Sequence, residues 1–193
     1  MALLDRLFES AVAVAAAPLF TPDFVCGRRP GLTPLTAASV APADAAFAVA
    51  AAEKGLAEVA LSELALRRAR SEPVREFARR MVAEHSDMNA ELLRLGVSKR
   101  IALPMTPTAA DRAERDHLDT LHEGTFEGAY LDRMIADHEE AVKLFADQAD
   151  GGTDVELTAF AARNLPALRD HLAACRQLPA APRGVKRGRK TQG

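Results

Sequence analysis

Four long stretches of the chain repeat apolar residues every three or four positions, and only two abrupt corners and one longer connection separate them. That spacing is the period of a helix with one buried face, and it leaves little room for any other element. The first stretch is predicted from about Ala43 to Arg70. Ser71-Glu72-Pro73 ends it and opens the next, because proline is tolerated only in a helix's first turn. The second runs to about Arg100 with Val74, Phe77, Ala78, Met81, Val82, Met88 and Leu92 on one face, and Pro104 and Pro107 mark a loop after it. A short helix is expected over 109–122. The third long helix, over 125–150, carries Tyr130, Leu131, Met134, Ile135, Ala141, Val142 and Phe145. Gly151-Gly152 supplies the second corner, and Thr153 to Glu156 has the form of a capping box opening a last helix to Leu178, with a kink expected at Pro166. Forty alanines and few β-branched residues favour the same answer. The fold expected is an all-α, up-down four-helix bundle over 43–178, with a short extra helix in the crossover between two helix hairpins.

The ends read differently. Residues 1–42 hold five prolines between Pro18 and Pro42 and no helical period after Phe20, so they are expected to form a flexible arm. The run Ala11 to Phe20 is the one candidate for an export signal. It is degenerate, with Asp5 and Glu9 beside Arg6 and no clean small-residue cleavage site. At ten residues it is about half the length needed to span a bilayer. The segment 179–193 carries five basic residues between Arg183 and Lys190 and is expected to be a disordered tail. Because the whole chain has net charge −2, the remainder carries −7, which argues against a nucleic-acid partner. Two cysteines, Cys26 and Cys175, exclude a disulfide-stapled scaffold.

One short motif occurs twice. Arg80-Met81-Val82-Ala83-Glu84-His85 returns 53 residues later as Arg133-Met134-Ile135-Ala136-Asp137-His138, with four of six residues identical. Phe77 and Tyr130 each precede the histidine by eight residues. The match points to two duplicated hairpins, with His85 and His138 in equivalent positions. His171 lies between Leu168 and Cys175 on a third apolar face. Glu58 sits on the first helix's inward stripe, among Ala51, Gly55, Leu61 and Ala65. A buried carboxylate costs several kcal/mol unless it is paired or bound to metal. Each long helix therefore offers one inward candidate ligand: Glu58, His85, His138 and His171. With corners near 72 and 152, Glu58 and His85 lie 14 and 13 residues from theirs, whereas His138 and His171 lie 14 and 19. That second offset is about 7 Å of rise, so His171 is expected to stand off unless a kink or tilt closes the gap.

The residues Gly55-Leu56-Ala57-Glu58, Ala78-Arg79-Arg80-Met81, Glu84-His85, Phe126-Glu127-Gly128-Ala129-Tyr130, Asp137-His138 and Leu165 to His171 carry a family resemblance. The stretch from about Asp44 to Leu178 resembles the bacterial domain-of-unknown-function family 4142, a ferritin-like group often labelled predicted outer membrane protein. The resemblance implies a ferritin-like bundle and an exported, periplasmic protein, with no established activity. Nothing in the sequence has the pattern of barrel strands or a lipid-spanning helix. Phe126-Glu127 stands where the family typically has Phe-Asp.

Di-iron members of the ferritin-like superfamily use paired Glu-x-x-His motifs. Val82, Ile135 and Leu168 occupy the glutamate position before the three inward histidines, and Glu114-x-x-His117 falls on the short helix, so that chemistry is not expected. One zinc, iron, manganese or copper ion fits the four residues better, and Met81, Met88 and Met134 keep copper(I) open. The competing reading is a structural or interaction bundle in which the same four residues make only hydrogen bonds. Ligand atoms within about 3–4.5 Å of one another favour the metal, and separations beyond 7 Å exclude it. A redox enzyme lacks any substrate-pocket signature. Glu84, Asp137 and Asp170, which precede the histidines, are expected to be solvated, since neighbours on a helix point about 100° apart. His117 and His122 are expected at the surface. Neutral buried imidazoles predict stability lost below about pH 6.

Overall fold

The computed structural model describes residues 40–179, all helix and connection with no strand among them. The arm expected over 1–42 and the tail expected over 179–193 lie almost wholly outside these residues, as does Cys26. Five helices follow in order: α1 Pro42–Arg68, α2 Glu72–Lys99, α3 Ala109–Thr120, α4 Glu123–Gly151 and α5 Val155–Gln177. Pro42 and Pro73 sit in the first turns of α1 and α2, where the missing N–H breaks no helical bond. α5 continues as one helix through Pro166. Arg100, left-handed at φ 58°, ends α2 as the amide of Ile101 donates back to the Gly96 carbonyl at 2.8 Å.

α1 packs along α2 and α4 along α5, while α1 also lies against α4 and α2 against α5; α3 rests on α1 and α4. Two buried carboxylates fix the directions. Glu127, near the start of α4, accepts the backbone N–H groups of Arg70 and Ser71 at 2.7 and 2.8 Å, just beyond the end of α1. Asp44, near the start of α1, accepts from the Thr153 and Asp154 amides, the Thr153 hydroxyl and the Gln148 side chain at the corner beyond α4. So α1 and α4 run in opposite directions, each bonding the corner that follows the other. α2 starts at the head of α4 and runs parallel to it. The crossover with α3 carries the chain back along the molecule.

Two sequence expectations change at these corners. Thr153 does not cap α5. Its hydroxyl is spent on Asp44, and Asp154 caps the helix instead, accepting from the amides of Glu156 and Leu157 at 3.1 and 3.0 Å. Gly152 has an ordinary φ of −65°, so its need for glycine is steric: a Cβ there would meet the Gln148 carbonyl oxygen at 2.6 Å. The motif shared by α2 and α4 also takes another meaning. One is the second helix of its hairpin and the other is the first, and the reciprocal corner bonds pair α1 with α4 instead.

The apolar interior falls into two clusters. One holds Leu61, Leu64, Phe77, Met81, Phe126, Tyr130, Met134 and Cys175. The other holds Phe47, Ala51, Met88, Leu92, Ala141, Phe145, Phe160 and Leu168. Along every long helix the change of cluster falls at one polar residue: Glu58 in α1, His85 in α2, His138 in α4 and His171 in α5.

Candidate metal centre

That layer is buried throughout: Glu58 is 1% exposed, His85 3%, and His138 and His171 0%. The three imidazole rings form a nearly equilateral triangle, with centroids 5.3, 5.4 and 5.4 Å apart. His171 stands as close as the others, and the corners are centred away from residues 72 and 152, where the sequence indicated them. The midpoint between Arg68 and Glu72 is residue 70, with Glu58 12 residues before it and His85 15 after. Between Gly151 and Val155 the midpoint is 153, with His138 15 before and His171 18 after. Each hairpin therefore has the same offset of three residues, so His171 is displaced from His138 no further than His85 is from Glu58.

Each ring spends one nitrogen on an acceptor outside the triangle. His85 Nδ1 lies 2.7 Å from Glu58 Oε2, and His171 Nε2 lies 2.7 Å from Glu84 Oε2. His138 Nδ1 lies 2.9 Å from the Met134 carbonyl oxygen. A carbonyl or an ionised carboxylate only accepts, so all three of these nitrogens carry the proton. In the neutral rings the lone pairs then fall on His85 Nε2, His138 Nε2 and His171 Nδ1. The last two are 3.4 Å apart, and neither has a proton to donate to the other. His85 Nε2 is buried with no hydrogen-bond partner, as is Glu58 Oε1.

The electrostatics agree with neutral rings at His138 and His171. Burial holds His171 down to about 4, outweighing its hydrogen bond to Glu84 that would raise it, and burial likewise lowers His138. Burial pushes Glu58 upward, but His85, through its charge and hydrogen bond, and then His138 and His171 bring it below the ordinary carboxylate range. The layer thus sets one buried anion, Glu58, against three imidazoles, of which burial keeps His138 and His171 neutral.

One nitrogen from each of His85, His138 and His171 lies within 4.8 Å of the other two. Nitrogens bound tetrahedrally at about 2.0–2.1 Å from one ion are about 3.4 Å apart. The His138–His171 pair already has that separation, and the widest pair needs to close by somewhat over 1 Å. Glu58 takes a place behind the triangle, bonded to the far nitrogen of His85 and 3.5 Å from His138 Nδ1.

Sequence reasoning missed Glu84. Its carboxylate does not serve the adjacent His85 but reaches across from α2 to His171 on α5, while Arg80 Nε donates to its other oxygen at 2.7 Å. Its side chain is 39% exposed, so it links the buried layer to the surface. Nothing in the local spacing marks that pairing, which depends on which helix packs beside α2. Asp137 is also buried rather than solvated and accepts from Arg133 at 2.7 Å; burial raises its carboxyl. Asp170, His117 and His122 are exposed. The Cys175 thiol is buried, which pushes it up to about 12.

The family model described as Domain of unknown function (DUF4142) matches residues 30–178. The chain belongs to the DUF4142 family. In this DUF4142 chain the match starts 12 residues before α1 and ends just past α5. A crystal structure of a DUF305 fragment from Deinococcus radiodurans is similar in fold, with a TM-score of 0.62 at 19% identity. The likeness covers 71% of this DUF4142 chain and 95% of the fragment, and it bears on the fold alone. No functionally curated protein matches in sequence. No described helix is long and apolar enough to cross a membrane.

Proposed function

We propose that this chain is a ferritin-like four-helix bundle that binds one transition-metal ion through His85, His138 and His171, as a metal-binding module rather than an enzyme. The observation that carries the reading is that each ring has an acceptor behind one nitrogen, outside the triangle. Each histidine has its acceptor outside the triangle, leaving the second nitrogen of each ring beside a buried carboxylate that no described lysine or arginine pairs. A cation among the rings satisfies all four groups at once. Glu58, Glu84 and the Met134 carbonyl then orient the ligands and fix their tautomers, a role usually filled by a carboxylate or carbonyl behind a metal-binding histidine. Neutral imidazole suits zinc, copper, iron and nickel. The reciprocal clamps at the two corners and the return of the crossover support an up-down-down-up bundle.

The test is metal content and affinity of the untagged protein. Wild type should bind one zinc, copper or cobalt(II) ion per chain and melt higher with it. His85→Ala, His138→Ala and His171→Ala should each abolish binding, and Glu84→Gln should weaken it by about 10–100-fold. Absence of any bound ion and of any thermal shift in wild type defeats the proposal. The competing reading, a hydrogen-bonded structural layer, is favoured by the 2.7 Å pairs Glu58–His85 and Glu84–His171. It predicts that the same substitutions only destabilise the chain.

A further inference from the structure

Three histidines leave a metal ion at least one coordination position that the protein does not fill. Beside the layer, on its Phe145 side, lies a cavity of about 20 Å³ bordered by Glu58 and His85 of the layer, with Ala51, Met88 and Ala141 and the polar Lys54 and Asn89 also among its lining. A space of this size holds about one water molecule. Glu58 and His85 are also the two layer residues with a buried polar atom that has no partner. A surface cleft of about 420 Å³ between α2 and α5 is lined by Glu84, Asp87, Glu91 and Asn164, and Met88 borders both it and the cavity. Met88 is 9% exposed, so a flexible, unbranched side chain is the shared wall between solvent and the interior.

We propose that the cavity seats an exogenous fourth ligand of the metal, a donor of one or two non-hydrogen atoms such as water, hydroxide or a diatomic molecule, admitted past Met88. This rests on the metal reading above. Larger ligands are excluded by the volume. The fourth position is then open to small molecules while the ion stays sealed from chelation by bulky ones.

The probe is carbon monoxide added to the anaerobic copper(I)-loaded chain, read by the infrared stretch of bound carbon monoxide and by copper content. Wild type should show one sharp band and one carbon monoxide per copper. Ala141→Val and Ala51→Val, which fill the cavity from two different helices, should keep copper but bind carbon monoxide at least tenfold more weakly. Met88→Ala should keep both and take up carbon monoxide at least threefold faster. Copper binding without a carbon monoxide band in wild type overturns this inference and leaves the metal reading intact, as does undiminished binding in both valine variants. Loss of copper from both valine variants also overturns it, since the cavity would then serve the ion itself. A wild type that takes no copper, zinc or cobalt overturns the metal reading and this inference with it.

Discussion

At the scale of single residues, the chemistry turns on where three protons sit. His171 is the best placed to report it in the metal-free chain. Its pKa falls from 6.5 to about 4 on folding, so between those values the unfolded chain binds the proton more readily than the folded one. Stability from this group is complete above about pH 6.5 and is lost as the pH falls toward 4, by up to about 3 kcal/mol. Urea unfolding of the apo-protein at pH 7, 6, 5 and 4 should show a falling midpoint. A midpoint constant from pH 7 to 5 contradicts burial of a neutral His171. The three histidines and Glu58 were legible as inward residues because each interrupts an apolar stripe of fixed period. Their roles were not. A ring's tautomer depends on the acceptor behind it, and those acceptors are a backbone carbonyl, a residue on the neighbouring helix and a residue across the core.

Among the elements, helix limits could be read closely because proline, glycine and the apolar period mark them independently. The corners could not. The apparent capping box at Thr153 fails because Asp44, more than a hundred residues earlier, claims its hydroxyl. That error of a residue or two in each corner is what made His171 look misplaced. The two clamping carboxylates are worth testing together. Asp44→Ala strands the amides of Thr153 and Asp154, and Glu127→Ala those of Arg70 and Ser71. Each should cost about 2–4 kcal/mol in equilibrium unfolding. The clamps hold opposite corners and share no partner, so the double variant should lose close to the sum. Strong non-additivity would mean that the two ends are coupled through the polar layer.

Over the molecule as a whole, the layer cuts the apolar interior into two clusters that meet only across polar side chains. A continuous apolar core would hold these helices together more cheaply, since a buried charge with incomplete pairing is a net burden. Replacing Glu58, His85, His138 and His171 together by leucine or methionine should therefore leave the metal-free chain as stable as before, or more stable by about 1–4 kcal/mol. Marked destabilisation, read by thermal unfolding, would assign the layer to holding the helices in register. With metal present, wild type should regain the difference, by about 2.7 kcal/mol at a free ion concentration a hundred times the dissociation constant.

The reciprocal corner bonds carry one more consequence. Each hairpin supplies the acid that holds the other hairpin's turn, so a hairpin borrowed from a second copy satisfies every one of those bonds equally well. Among the described residues, the crossover of residues 100–122 is the part that distinguishes self from neighbour, through its length. Shortening its loop at 101–108, so that it no longer reaches back along the molecule, should yield an exchanged dimer with the same helices and two copies of the histidine layer, each assembled from two chains.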